Sequence, residues 1–405
     1  MFTHEGRLRH LLRPAHYTDE GHFAREVETL FRPAWHFVGT LSEMSREGEF
    51  RTTRVLGTPV LLRNFGGRVR AFRNVCPHRH AMLSSEPCGQ SPTLRCQYHG
   101  WEFREDGRTA RIPEASAFRP WDRENSRLDR LRLESCGDLL FVTLSETAPP
   151  LTDWLRPYAA EVAEAFDPSQ WRMRHAWDYR CECNWKVPAE NTLESYHVTS
   201  LHPQWFGKTL PRADRTTHTL EHRFTALDFD APPESRIEDR QARLRTWLGG
   251  TATRAYRHRH LHPHFVFCTS DTLNYALTYH PIAPRKVEVR VRLFAFRGTR
   301  RGPAAALASE FAWRIGKRAT LKVHGEDRTI YADQQAGLEA SPHPGVLGNR
   351  EERVFHFQRY VLEAMGLPMP EDPAAFASGR PSQKHLARPT RRTSATPGER
   401  EVSAR

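Results

Sequence analysis

The chain has 405 residues, a hydrophobic fraction of 38% and a mean hydropathy of −0.68. This length predicts two or three domains, each long enough to bury a core. No apolar run approaches the length needed to cross a bilayer, so the membrane-spanning class is excluded. The net charge of +12 comes mainly from arginines spread over every segment, a pattern that does not indicate nucleic-acid binding.

Five of the seven cysteines, an odd number, have no regular spacing, which argues against a disulfide scaffold and favours a reducing compartment; they are Cys88, Cys136, Cys181, Cys183 and Cys268. The first residues lack the apolar core of a signal peptide. We therefore expect a cytoplasmic protein without a membrane partner.

Residues 1–45 are predicted to form an N-terminal helical segment that packs on the later, larger domain. Within it, 17–37 indicates a helix that enters a strand, with Asp19 as the helix cap. One helical face is apolar and consists of Phe23, Val27, Leu30 and Phe31.

Residues 46–148 predict a small all-β module. Short runs such as Val60-Leu61-Leu62 alternate with turn signals such as Asn64-Phe65-Gly66-Gly67. The dipeptide Pro149-Pro150 follows the module and marks its exit. A module of this kind can present side chains on the loops between its strands.

Two loops of this module carry a metal-ligand pattern. The ligands are Cys76, His78, Cys96 and His99, spaced C-x-H, seventeen residues, C-x-x-H. Two thiolates suit one iron of a [2Fe–2S] cluster and two imidazoles suit the other, which is the Rieske arrangement. Zinc is the alternative, although zinc sites more often use C-x-x-C or H-x-x-x-H steps.

Residues 149–368 predict a second, α+β domain. The segment 177–187 alternates apolar and polar residues as a half-buried strand does, so Cys181 and Cys183 are interpreted as core residues and not as a metal pair. Further strands are expected near 219–228, 264–280 and 286–297, followed by a long helix over 304–338.

Two other segments attract no functional assignment. The histidine-rich run 258–264 is expected to be a solvated turn, with a metal site as the alternative. Residues 369–405 are rich in Pro, Ser, Ala, Arg and Glu and are predicted to be a disordered basic tail.

A second constellation lies in the second domain. His197 and His202 are five residues apart, so a helix carrying both must break, and Pro203 favours that break. Two neutral imidazoles and a carboxylate form the facial triad of non-haem Fe(II), with positions open to O₂. Two surface histidines near a helix end are the alternative, which the neighbouring cluster motif disfavours.

With these motifs, residues 17–340 resemble the catalytic (alpha) subunit of a Rieske non-haem iron oxygenase of the aromatic ring-hydroxylating dioxygenase family. The resemblance implies an α+β protein. Its N-terminal part would be an all-β Rieske domain, and its catalytic domain a helix-grip (START/Bet v1-like) antiparallel sheet with a long C-terminal helix. It also implies that His197 and His202 hold the mononuclear iron.

The resemblance assigns two carboxylates as well. Glu194 falls on the acidic residue that bridges a cluster histidine of one subunit to an iron histidine of the next, which implies a homotrimer in which His99 faces Glu194 of a neighbour. Asp327 falls on the third iron ligand, with Glu326 and Asp333 as rivals. Ile330, Tyr331 and Gln334 are expected on the helical face of Asp327.

Four further residues are candidates for the substrate pocket. Asn191 and Tyr196 are expected to line it, beside Glu194. Trp205 and Phe206 could stack on an arene or on a cation.

The activity implied is that of a terminal oxygenase, which hydroxylates an organic, by default aromatic, substrate. It would use O₂ and electrons from NAD(P)H, delivered by a ferredoxin or a flavin reductase docked on a positive face. Two residues depart from the family pattern: His80 replaces a glycine, and Glu194 stands where most ring-hydroxylating dioxygenases have Asp. Oxygenases of quaternary amines often have Glu there.

Three alternatives therefore stay open. One is a monooxygenase or demethylase of an amine, a quaternary ammonium compound or an ether. The second is a Rieske electron carrier without oxygenase chemistry. The third is a ligand-binding protein of the helix-grip type, which would leave the cluster motif unused.

Overall fold

The computed structural model describes residues 2–120, 126–206, 212–343 and 345–370. The side chains of Trp205 and Phe206 and the predicted tail from 371 onwards lie outside the described residues. Among the described helices, every one is too short or too polar to cross a lipid bilayer.

The strands of the described residues are numbered in chain order. They are β1 (Leu8–Arg9), β2 (His36–Thr40), β3 (Glu49–Val55), β4 (Thr58–Phe65), β5 (Arg68–Arg73), β6 (Cys88–Gln90), β7 (Leu94–Arg95), β8 (Glu102–Phe103), β9 (Thr109–Arg111), β10 (Arg130–Cys136), β11 (Leu139–Thr143), β12 (Trp171–Cys181), β13 (Thr216–Leu220), β14 (Phe224–Asp230), β15 (Ala255–Leu261), β16 (Phe265–Thr269), β17 (Leu273–Ala283), β18 (Lys286–Phe296) and β19 (Val346–Leu347).

The α-helices are numbered in the same way. They are α1 (Ala15–Thr18), α2 (Glu20–Glu26), α3 (Leu151–Trp154), α4 (Ala159–Ala165), α5 (Lys186–Thr192), α6 (Val198–Leu201), α7 (Pro203–Phe206), α8 (Arg236–Trp247), α9 (Pro303–Ala340) and α10 (Glu352–Ala364). Helix α2 continues into one π-helical turn, Val27–Phe31.

The first large sheet is antiparallel, with strand order β2-β11-β10-β5-β4-β3-β6, and a small sheet β7-β8-β9 lies beside it. Alternate residues of β4 point to opposite faces. Val60 and Leu62 pack into one core with Val38, whereas Leu61 packs into a second core that includes Cys76 and Cys96. The sheet therefore supports the two cysteine-bearing loops on its second face.

The second large sheet has the order β12-β18-β17-β16-β15-β14-β13, with every pair antiparallel. One face, including Tyr179, Tyr279 and Val289, shares a core with Trp313 and Tyr331 of α9. This is an antiparallel sheet gripping a long helix, so the α+β fold and the helix predicted over 304–338 are confirmed.

Helix α2 begins as predicted, because the side chain of Asp19 caps it by accepting from the N–H of His22 at 2.6 Å.

The N-terminal segment is bound to this second sheet and its helices by buried polar contacts. The Tyr17 hydroxyl donates to Glu190 at 2.6 Å, and Lys186 pairs with Glu26 at 2.6 Å. Strand β2 precedes the predicted start of the β module and still pairs with β11.

The strand predicted over 177–187 is displaced. Strand β12 ends at Cys181, and α5 already begins at Lys186. The side chain of Asn184 accepts from the N–H of Lys186 at 3.1 Å, a local bond that competes with strand pairing. Cys181 and Cys183 are buried core residues, as expected.

The prediction of a solvated turn over 258–264 is wrong. Most of this run is strand β15, and His258, His260, His262 and His264 are all buried. Burial lowers the pKa of His262 to about 3, so this imidazole is neutral and can be buried without a counter-charge. Arg and His alternate in this run, and neither is an apolar residue, so the sequence did not show the pattern expected of an internal strand.

The helical face predicted for Asp327 also needs correction. Tyr331 is buried on the side of Asp327, as expected, but Ile330 and Gln334 are exposed. Gln335 is buried instead, and its side chain accepts from the N–H of Asn184 at 2.8 Å. The buried side of α9 near Asp327 therefore carries Tyr331 and Gln335 in place of Ile330 and Gln334.

Candidate metal centres

The two cysteine-bearing loops have the same backbone structure. The N–H of Cys76 donates to the carbonyl of Ala81, and the N–H of Cys96 donates to the carbonyl of Trp101, both at 2.8 Å. Each loop therefore closes around its own cysteine and directs a cysteine and a histidine towards the other loop.

The four predicted cluster ligands lie together between these loops. Cys76 and Cys96 are buried, and the rings of His78 and His99 lie 4.6 Å apart between centroids. The indole of Trp101 stacks on His78 at 4.8 Å, with an angle of 4° between the planes. The histidine side of the group is nearer to solvent than the thiol side, because both histidines are only half-buried.

The electrostatics of this group suit a metal cofactor. Burial, together with the neighbouring Cys96 thiol, raises the pKa of Cys76 to about 11. Burial and the adjacent His99 lower the pKa of His78. The neutral thiol of Cys76 and the neutral imidazole of His78 are thus favoured without metal, and a bound metal cation would stabilise the thiolate instead.

A second group consists of His197, His202 and Asp327. One potential ligand atom from each lies within 4.8 Å of the others. Asp327 Oδ1 is 2.9 Å from Nε2 of His202 and 3.6 Å from Nε2 of His197. His202 lies at the break between α6 and α7 that the five-residue spacing predicts, and Asp327 lies on the buried side of α9.

Each imidazole of this group has its own carboxylate partner on the other ring nitrogen. Glu194 contacts Nδ1 of His197, and Glu326 contacts Nδ1 of His202 at 2.8 Å. Such a bond holds the proton on Nδ1 and leaves the Nε2 lone pair for a metal. Burial opposes the cationic form of His202, but bonds to Asp327 and Glu326 outweigh it and raise its pKa.

The predicted pocket residues differ in their exposure. Asn191 has a buried side-chain nitrogen without a hydrogen-bond partner in the described part of the chain. Tyr196 is 60% exposed, and Asp333 is exposed on α9 away from the histidines. In the single chain, therefore, neither Tyr196 nor Asp333 belongs to the histidine–aspartate group.

Sequence reasoning missed the partner role of Glu326, which it treated only as a rival ligand. It also missed the bond of 2.8 Å between the hydroxyls of Thr192 and Tyr279, which joins α5 to β17. The signal for Glu326 is its place beside Asp327, but which carboxylate faces which nitrogen depends on the rotation of α9.

Comparison with known families matches two successive parts of the chain, each of which carries one group of candidate ligands. The profile of the Rieske [2Fe–2S] domain matches residues 34–124, and that of the ring-hydroxylating alpha subunit catalytic domain matches 168–367. Choline monooxygenase of Beta vulgaris is 30% identical over 363 residues, which cover 86% of this chain and 76% of that protein.

The chain belongs to the Rieske oxygenase family. The Rieske match spans all four predicted cluster ligands, and the second match spans the histidine–aspartate group. Family membership favours an iron–sulfur cluster over zinc, and it confirms the predicted cofactors, a [2Fe–2S] cluster and a mononuclear iron, at the level of the family.

Other relatives of this chain share a shorter segment with it. The carnitine monooxygenase oxygenase subunit of Escherichia coli K12 is 31% identical over 226 residues. That match covers 55% of this chain and 60% of the relative, less than two thirds of its length.

Solved structures share the fold. The quaternary ammonium Rieske monooxygenase CntA superposes with a TM-score of 0.72 at 20% identity, over 88% of this chain and 95% of that one. A naphthalene 1,2-dioxygenase superposes with a TM-score of 0.67 at 19% identity, over 88% and 95%. The same architecture is therefore present in oxygenases of very different substrates.

Proposed function

We propose that this chain is the oxygenase component of a Rieske monooxygenase whose substrate carries a quaternary ammonium group. The observation that carries the proposal is the set of relatives, which are named as oxygenases of carnitine, glycine betaine and choline. Glu194 agrees with them, since it stands in place of the aspartate usual in ring hydroxylation. The aromatic substrate expected by default becomes the second choice.

In the proposed reaction, one oxygen atom of O₂ enters a C–H bond of the substrate and the other leaves as water. Two electrons and two protons are consumed. The iron, when bound, supplies O₂ activation with electrons that arrive through the cluster. His197, His202 and Asp327 would hold it, and Cys76, Cys96, His78 and His99 would hold the cluster.

The protein residues around the iron ligands have defined tasks. Glu194 and Glu326 hold the protons on Nδ1 of the two histidines, which keeps Nε2 directed at Asp327. Around Asp327, Tyr179, Tyr279 and Tyr331 form a buried aromatic wall, and burial raises the pKa of all three phenols. Neutral aromatic rings can stabilise a quaternary ammonium ion by cation–π attraction.

We also propose a head-to-tail homotrimer, in which His99 of one subunit meets Glu194 of the next. Two exposed aromatic residues support it: Tyr98 is 56% exposed beside His99, and Tyr196 is 60% exposed beside Glu194. Large exposed aromatic side chains are typical of protein interfaces. The contact would give electrons a short route between subunits.

The proposed partners are O₂, the organic substrate and a ferredoxin or flavin reductase that draws on NAD(P)H. The proposed location is the cytoplasm, and seven cysteines without disulfides support it. Neither nucleic acid nor a membrane is part of the proposal.

The test is substrate-stimulated O₂ consumption by the purified, iron-loaded protein with a reductase, measured with carnitine, glycine betaine, choline and naphthalene. We expect at least one quaternary ammonium compound to stimulate consumption and to yield an oxidised product by mass spectrometry. Stimulation by naphthalene alone would overturn the proposal.

Iron analysis tests the site assignment separately. We expect three iron atoms per chain in the wild type, and two, with an unchanged visible spectrum of the cluster, in His197→Ala and Asp327→Ala. Asp333→Ala is the matched control on the same helix and should keep three. Two iron atoms per chain in the wild type would instead favour a simple electron carrier.

A further inference from the structure

Arg353, in the first turn of α10, is a buried guanidinium with only 1% of its surface exposed. Its Nη2 donates to Nδ1 of His258 at 2.8 Å and to the carbonyl of Thr225 at 3.4 Å, and its Nε donates to Oγ1 of Thr225 at 3.3 Å. No ion pair among the described residues includes Arg353, and no carboxylate is among the principal charges that act on it.

Other buried arginines of the second sheet do have carboxylate partners. Arg259 pairs with Asp228 at 2.8 Å. Arg290 pairs with Glu288 at 2.6 Å, and Arg292 pairs with Glu43 at 3.0 Å. Arg353 differs from these three arginines, because no carboxylate among the described residues pairs with it.

The neighbours of Arg353 do not supply the missing charge. Burial raises the pKa of the Cys268 thiol to about 11 and that of the Tyr256 phenol well above its usual value, so both are neutral. Burial lowers the pKa of Arg353 only to about 10, which leaves it cationic near pH 7. A buried cation without an anion is costly, so a ligand that supplies the anion would be strongly favoured.

Two donors beside this charge have no acceptor. A guanidinium can only donate, so Nδ1 of His258 accepts and the imidazole proton is on Nε2. That Nε2 is buried without a hydrogen-bond partner in the described part of the chain. Nη1 of Arg353 likewise makes no hydrogen bond with the described residues. Two free donors suit the two oxygens of a carboxylate.

A continuous set of side chains connects this position with the histidine–aspartate group. The hydroxyls of Tyr256 and Tyr275 are 3.0 Å apart, and the ring of Tyr275 is 5.9 Å from that of His324 between centroids. His324 lies one turn before Asp327 on α9. These residues share the face of the sheet that packs on α9.

Tyr256 indicates that this face contains open space. Tyr256 is 36% exposed, although Ala255 and His258 on the same strand are buried, and its hydroxyl bond to Tyr275 is accessible to solvent. A ligand that reaches both the histidine–aspartate group and the guanidinium would pass these two hydroxyls.

We propose that Arg353 and His258 bind a carboxylate of the substrate, so that the substrate is a zwitterion whose ammonium end faces the iron ligands. The inference rests on the proposed function and narrows it: carboxylated quaternary amines are substrates, and their carboxylate-free analogues are not. The guanidinium gives a charge-assisted bond at one oxygen, and the imidazole Nε2–H donates to the other.

The experiment compares Arg353→Gln, Arg353→Lys and the wild type as iron-loaded proteins. Calorimetry gives the Kd for carnitine and glycine betaine, which carry a carboxylate, and for choline, which does not. Arg359→Gln is the matched control, because Arg359 lies on the same helix and also bonds to an imidazole, Nδ1 of His356, at 2.9 Å. The visible spectrum of the cluster and circular dichroism check that each variant is folded.

We expect the wild type to bind at least one carboxylated compound about tenfold more tightly than choline, or more. Arg353→Gln should weaken that binding by about 10- to 100-fold and leave choline within about threefold. Arg353→Lys should lie between, and Arg359→Gln should equal the wild type. If Arg353→Gln does not fold, the wild-type preference and Arg353→Lys decide the question.

Equal losses for choline and for the carboxylated compounds would overturn the inference, as would a wild type that binds neither carboxylated compound. Turnover is recorded in parallel. Selective binding through Arg353 without oxidation of any compound would refute the proposed function while leaving the carboxylate site intact. Oxidation of choline as efficiently as glycine betaine would refute the carboxylate site while leaving the function.

Discussion

His80 and Gly100 occupy the same position in the two cysteine-bearing loops. The N–H of His80 donates to the carbonyl of Cys76 at 3.0 Å, and that of Gly100 donates to the carbonyl of Cys96 at 3.1 Å. Both residues have a left-handed backbone, with φ of 60° and 69°. The glycine usual at the first of these positions is thus explained by the backbone, and His80 adopts a conformation that costs an L-residue energy.

The first prediction concerns this position. His80→Gly should raise the free energy of unfolding by about 0.5–1 kcal/mol, because the left-handed strain is removed and the exposed imidazole loses few contacts. Thermal unfolding of the cluster-loaded protein measures the change, and the visible spectrum shows whether the cluster is retained. A loss of stability greater than about 1 kcal/mol would mean that the imidazole contributes to the loop.

The second prediction concerns the carboxylate that orients His197. Glu194→Gln should weaken retention of the mononuclear iron by about 10- to 100-fold, because the neutral amide no longer favours the proton on Nδ1. Glu326→Gln should have a similar effect through His202. Iron remaining after timed exposure to a chelator measures both, with Glu310→Gln as control, because Glu310 is a half-buried carboxylate of α9 that pairs with Arg174 and Arg314 and with no histidine of the described residues. Retention equal to wild type in Glu194→Gln would contradict the orienting role.

The third prediction concerns the buried ion pair of Lys186 with Glu26, whose side chains are both 0% exposed. Lys186→Met alone should lower the free energy of unfolding by about 3–5 kcal/mol, because it leaves a buried carboxylate without its cation. The double variant with Glu26→Gln should recover to within about 1–2 kcal/mol of wild type.

Denaturant unfolding measures this double-mutant cycle. Arg32→Met is the control, because Arg32 and Glu28 form an exposed pair, with 47% and 57% of the side chains accessible, and should lose less than about 1 kcal/mol. A Lys186→Met variant as stable as the control would show that Glu26 is satisfied by its other partners.

The fourth prediction is a pH dependence from the same pair. Burial opposes ionisation of Glu26, but Lys186 outweighs it and lowers the carboxyl pKa below 4.5. A carboxyl group whose pKa is lower in the folded state stabilises the fold above its unfolded pKa, and that contribution is lost as pH falls through the folded value. The double variant should therefore lose less stability than wild type between about pH 5 and pH 3. Parallel acid unfolding curves would contradict this.

The grouping of the candidate ligands could be predicted because metal chemistry constrains spacing directly. The pairs around Cys76 and Cys96 each need a short loop, and His197 and His202 need a break in a helix, so the pattern carries the geometry. The α+β fold followed from period-two segments and one long helical segment, as the second sheet and α9 show.

The remaining features depend on tertiary contacts that leave little trace in the sequence. Asn184 starts α5 through a side-chain bond although the alternation of β12 continues past it. The imidazoles of β15 are internal because burial makes them neutral, whereas a histidine-rich run normally suggests exposure. Arg353 is one arginine among many in the sequence, and only its surroundings distinguish it.

The N-terminal residues Tyr17 and Glu26 contact α5, the helix that precedes His197, through Glu190 and Lys186. A fragment produced from residue 149 onwards would expose the ammonium group of Lys186, the indole of Trp185 and the carboxyl group of Glu190, which are buried in the intact chain. Such a fragment should be prone to aggregation and poor at taking up iron. Dissection of the two halves for separate study should therefore keep the first forty residues linked to the catalytic half.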